Sequence, residues 1–108
     1  MTVNDLINTL DLEPLSLADG DREISGAYAG DLLSWVMGRA CEGNVWVTIM
    51  TNINTVAVAS LADVACVIFA ENCEPDEGVV ETALAKGVNL LRSPLKTYEL
   101  CVALGKVI

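Results

Sequence analysis

The chain has 108 residues, 53% of them apolar, with 15 acidic side chains against six basic ones and no histidine. That length suits one domain with one core and is too short for two. A net charge of −9 repels phosphate backbones and anionic lipid, and the cations Arg22, Arg39, Lys86, Arg92, Lys96 and Lys106 are scattered, so neither a nucleic acid nor a membrane surface is expected as a partner.

Thr2-Val3-Asn4-Asp5 is followed by no apolar run of signal-peptide length. The longest mainly apolar stretch, Val56 to Ala70, contains Asp63 and falls short of the ~20 residues that span a bilayer. A soluble, cytoplasmic protein is the expectation. Cys41, Cys66, Cys73 and Cys101 include no Cys-x-x-Cys pair, so no zinc site is expected, nor any other metal or cofactor. In an unexported chain the thiols stay reduced. Cys66 reads as a small core residue, and Cys73, in a polar loop, as the thiol placed to react.

Thr2-x-x-Asp5 resembles a capping box, and Val3, Leu6, Ile7 and Leu10 follow at helical spacing, predicting a helix over 3–11. Leu12 to Leu17 contains Pro14 and suits a short edge strand, with turn chemistry behind it at Ala18 to Asp21. Ile24 to Gly30 reads as a strand of small residues that something packs against closely. Asp31 is expected to cap a helix over 32–41, whose stripe of Leu32, Leu33, Val36, Met37 and Ala40 leaves Trp35 about 130° from its centre. Trp35 therefore faces away from this domain's core, toward a covering loop or tail, a subunit interface or a stacked ligand.

Val45 to Met50 is a β-branched strand, and Val56 to Ala62 continues as a helix of small residues after the polar patch Thr51-Asn52-Ile53-Asn54. Val64 to Ala70 is continuously apolar, the mark of a strand buried on both faces. Pro75 suits a helix's first turn, with Asp76 and Glu77 matched to its dipole and Gly87 ending it. Val88 to Leu91 is a last short strand, and Ser93-Pro94 is expected to open a helix reaching Leu104. Strands alternating with helices from Val45 onward imply right-handed crossovers and parallel pairing. The expected fold is α/β, a single domain over residues 1–108 with a largely parallel five-stranded sheet flanked by helices.

In such a sheet ligands gather outside the carboxyl ends of the strands, near a reversal of strand order. Three loops should meet there: Thr51, Asn52 and Asn54; Glu71, Asn72 and Cys73; and Arg92 with Ser93, followed by Lys96 and Thr97. Helix amino termini and two cations favour a small phosphate-bearing anion or nucleotide. The same residue types also cap helices with no ligand at all. Without histidine, a phosphate loop, Gly-x-Gly-x-x-Gly or Gly-x-Ser-x-Gly, nothing argues for catalysis, and the pairs Asp19/Asp21 and Asp76/Glu77 suit a turn and a helix start.

Asp21-Arg22-Glu23-Ile24-Ser25-Gly26, then Gly30-Asp31-Leu32-Leu33-Ser34-Trp35-Val36-Met37, Trp46-Val47-Thr48-Ile49, Leu90-Leu91-Arg92-Ser93 and Thr97-Tyr98 resemble small stand-alone DRTGG-domain proteins. The likeness runs over essentially the whole chain. It departs from the family's signature at Asn52-Ile53, where an Asp-Arg pair would stand, and at Ala70-Glu71-Asn72 in place of Thr-Gly-Gly. The resemblance implies an α/β sandwich similar to the amino-terminal domain of HPr kinase/phosphorylase, a module that accompanies CBS domains in regulated pyrophosphatases. It further implies subunit association and regulation and no reaction.

The leading expectation is a non-catalytic regulatory or scaffolding domain that forms a homo-oligomer, a dimer with Trp35 at its interface, with a second protein as a further partner. The alternative is a sensor that binds a phosphate-bearing metabolite or nucleotide through Thr51, Asn52, Asn54, Asn72, Arg92, Ser93 and Thr97. An enzyme acting through Cys73 or an acidic pair is the third.

Overall fold

The amphipathic amino-terminal segment closes into helix α1, Val3–Leu10, in the computed structural model, which describes residues 1–108. Its capping box forms as those side chains require: Thr2 Oγ1 accepts from Asp5 N at 3.1 Å, and the Asp5 carboxylate accepts from Thr2 N at 2.9 Å. Hydrogen bonding to Thr2, the backbone N–H foremost, holds the Asp5 carboxyl below its ordinary pKa. Val3 and Leu6 are fully buried, which anchors the helix to the sheet.

The rest follows as β1 (Glu13–Ser16), β2 (Gly26–Ala29), α2 (Leu33–Arg39), β3 (Asn44–Thr48), α3 (Ile53–Ala62), β4 (Cys66–Phe69), α4 (Val79–Ala85), β5 (Leu90–Arg92) and α5 (Thr97–Gly105). One sheet of order β1-β5-β4-β3-β2 contains all five strands. β2, β3, β4 and β5 pair in parallel, while β1 runs antiparallel to β5, so the sheet is mixed rather than largely parallel. The difference has a simple cause. No crossover helix joins β1 directly to β5, so the handedness rule that orients the other four does not reach it.

Because β2 to β5 advance in one direction, right-handed crossovers place α2, α3 and α4 on one face and leave α1 and α5 for the other. Each face has its own core. Leu6, Val45, Val47, Ile68, Leu91, Leu100 and Leu104 fill the α1/α5 side. Val36, Trp46, Val56, Val67, Phe69, Val79 and Leu90 fill the other. Trp46 is fully buried, and its indole N–H donates to Gly30 O at 2.9 Å. With strand order running without reversal from β2 to β5, the crevice expected at a switch point does not form.

Three predicted helix starts move later along the chain. Asp31 does not cap α2; Leu32 occupies that position with no side-chain bond, and Asp31 Oδ1 instead accepts from Thr48 Oγ1 at 2.8 Å and Ile49 N at 2.9 Å. α4 begins at Val79, after Pro75, Asp76 and Glu77, because Gly78 at φ +84° breaks the helical path just before it. α5 begins at Thr97, because the Ser93 hydroxyl accepts from Leu95 N at 3.2 Å and holds a turn, leaving Lys96 extended.

The amino-terminal edge of the sheet is closed by the long β1–β2 connection. Asn89, buried before β5, donates to Asp19 O at 2.7 Å and Ala65 O at 2.9 Å and accepts from Asp19 N at 2.8 Å. Arg22 donates to Asp63 Oδ1 and O, closing the end of α3. Gly43, at φ +80°, turns the chain into β3 where a Cβ would press on the Ser25 hydroxyl, so both conformation and space favour glycine there.

Candidate functional site

The three loops predicted to converge do meet beyond the carboxyl ends of β3, β4 and β5. Glu71 N donates to Leu95 O and Asn72 N to Ser93 O, each at 2.8 Å, and Asp76 N donates to Thr51 O at 3.1 Å. Glu71 and Asn72 adopt left-handed backbone, at φ 58° and 57°, which makes the sharp turn between them possible.

Within this edge the predicted groups are engaged with one another. Asn52 caps α3, its side-chain oxygen accepting from Asn54 N at 2.9 Å, while the Asn54 side chain is exposed. Thr51 Oγ1 donates to Asp76 Oδ1 at 3.3 Å, and Thr97 Oγ1 to Glu71 Oε2 at 3.5 Å. Arg92 donates to Glu13 Oε1 through Nε at 3.1 Å and Nη2 at 2.8 Å, and its Nη1 lies 3.4 Å from Glu74. The bonds to Glu13, foremost, raise the Arg92 pKa. Ser93 is buried, its hydroxyl serving the loop.

The surroundings are acidic, with Asp31, Glu71, Glu74 and Asp76 on the loops against Arg92 and Lys96. An anion that binds through Arg92 must displace at least one carboxylate from it. No group of three histidine, cysteine or acidic side chains stands close enough to hold a metal ion. Cys41 is the exposed thiol, while Cys73 is half-buried against the α2/α3/α4 layer. Cys66 is fully buried, which pushes its thiol up to about 12 and keeps it protonated.

Apolar side chains share the same end of the molecule. Leu32 is 57% exposed, Trp35 52% and Ile53 46%, and Ile49 joins them through its backbone bond to Asp31. The guanidinium of its own helix neighbour Arg39 lies 3.7 Å from the Trp35 ring centroid.

Two features escaped the sequence. A groove of about 330 Å³ lies over Ala27, Ala29 and Val47, walled by Cys101, Leu104 and Ile108. A shallower one runs between α1 and α5 beside Tyr98. Both depend on which strands and helices are neighbours in space, which local residue patterns do not encode.

No protein-family model matches the chain, and no curated protein matches it. Its fold is similar to a solved structure of the CBS and DRTGG domains in the regulatory region of Clostridium perfringens pyrophosphatase, a region determined with its activator diadenosine tetraphosphate. The TM-score is 0.73 at 12% identity, over 95% of this chain and 45% of that one. The chain thus has a DRTGG-like α/β fold and spans under half the length of that neighbour. No helix is long and apolar enough to cross a membrane.

Proposed function

We propose that this chain is a non-catalytic regulatory domain that works as a homodimer. The observation that carries the reading is Trp35, half exposed on α2 with Leu32 uncovered beside it. An exposed tryptophan flanked by apolar side chains has the composition of an interface centre, where aromatic residues concentrate and charge is depleted. The fold shared with part of a pyrophosphatase regulatory region supports the regulatory half of the reading. Sedimentation equilibrium at micromolar concentration tests it: a dimer is expected, weakened in Trp35→Ser, and a monomer at every concentration sinks it.

A second reading is favoured by the nucleotide activator bound to that neighbour. A phosphate-bearing ligand at Asn52, Asn72, Arg92 and Thr97 would draw Arg92 away from Glu13. A ligand at about 100 times its dissociation constant stabilises the folded state by about 2.7 kcal/mol. Thermal unfolding against diadenosine tetraphosphate, adenine nucleotides and inorganic phosphate should then show a shift that Arg92→Ala removes. No shift with any of them eliminates this reading.

A further inference from the structure

The two edges of the sheet are built differently. β1 has the features that discourage strand addition: Pro14 lacks a donor, the register slips between Pro14 and Ser16, and Glu13 brings a charge. β2, at the opposite edge, has none of them. From Gly26 to Gly30 it reads Gly-Ala-Tyr-Ala-Gly, with no charge, proline or bulge. Gly30 N donates to Val47 O at 3.1 Å, so by the alternation of a parallel ladder Gly26, Tyr28 and Gly30 face β3. Ala27 and Ala29 therefore turn their N–H and C=O groups away from the sheet.

Beside this bare edge lies the 330 Å³ groove. Ala27 and Ala29 stand in register with Val45 and Val47, on the face covered by α1 and α5. That face has two helices where the other has three, and the strip over β2 is left uncovered.

We infer that β2 pairs antiparallel with β2 of a second copy about a two-fold axis at Tyr28, joining two sheets into one of ten strands. This rests on the dimer reading above and names its surface. The occupant follows from symmetry and charge. With the axis at Tyr28, Ala27 of each copy lies opposite Ala29 of the other, and each of these pairs exchanges both N–H···O bonds, so every outward group is satisfied. Like-charged copies at −9 repel over most of their surface, and this uncharged strip is where two can approach. α2 joins β2 to β3 and packs on α3, which makes it the outermost helix on its face. Pairing therefore brings α2, with Trp35, alongside its counterpart. On the opposite face the two grooves merge, and the α5 helices flank the shared space.

Ala29→Pro removes an outward N–H while leaving the bonds to β3 intact, and Ala27→Lys adds a charge to the edge. Each should raise the dimer dissociation constant by about tenfold or more in sedimentation equilibrium, with circular dichroism and melting of the separated monomer close to wild type. In the wild-type protein, exchange of the Ala27 and Ala29 amides should slow as concentration rises. A wild-type dimer whose dissociation constant moves in neither variant, and whose Ala27 and Ala29 amides exchange fast at all concentrations, overturns the strand pairing and leaves the dimer reading standing. A wild-type monomer overturns both and frees the edge for a different peptide or the groove for an apolar ligand.

Discussion

Asn89 shows how much one buried amide can hold. It is 2% exposed and uses both ends of its side chain, linking the backbone of Asp19 to that of Ala65 across residues distant in sequence. Asn89→Ala would strand a carbonyl at Ala65 and a donor at Asp19, and a stranded buried group costs more than a hydrogen bond gains. The expected loss is about 2–4 kcal/mol, read from urea unfolding. Asn54→Ala, at an exposed side chain of the same residue type, should stay within about 0.5 kcal/mol. A loss at Asn89 no larger than at Asn54 would refute the bridging role. Nothing in the local sequence distinguishes the two asparagines, since the difference lies in what the fold brings near.

Element by element, the boundaries read correctly are those set by backbone-local chemistry. Thr2 and Asp5 fixed the start of α1, because a cap and its target are three residues apart, whereas α3 starts at Ile53, ahead of the expected Val56, with Asn52 as its cap. Two of the misread starts involve side chains that resemble caps but bond elsewhere. Asp31 resembles a cap but is drawn across to Thr48 and Ile49, and Ser93 closes a turn instead of opening α5. The direction of β1 was equally hidden, because residue alternation does not depend on which way a strand runs. The depressed pKa of Asp5 gives α1 a pH signature. A carboxylate whose folded pKa is lowered contributes stability above its unfolded value of about 3.9, and that contribution is lost as pH falls through the folded value. Asp5→Asn should therefore melt roughly 2–4 °C below wild type near neutral pH, with the gap closing below about pH 4. An equal gap at pH 3 and pH 7 would mean the charge contributes nothing.

For the whole molecule, charge and apolar surface act against each other. In the proposed dimer, fifteen acidic residues against six basic ones oppose the approach of two copies, which Trp35, Leu32 and the β2 edge would bring together. Screening lengths fall from about 10 Å at 0.1 M salt to about 3 Å at 1 M. Dimerisation should therefore tighten, by roughly three- to tenfold, between about 0.05 and 0.5 M sodium chloride. Ion pairs at the interface would give the opposite slope, and that result would remove the uncharged edge from consideration. At the loop edge the sequence located the meeting place of Thr51, Asn72 and Arg92 but not their partners, since Glu13 lies 79 positions from the arginine it holds.

The pairing of β1 with β5 sets an order of events during synthesis. Arg92 meets Glu13, and the α1/α5 face has no second helix until residues beyond Thr97 exist. Within this domain, the strand made first therefore waits for the one made last. Until then Leu6, Leu12 and the unpaired side of β1 have no cover, and Pro14 guards a strand that has not yet found its place.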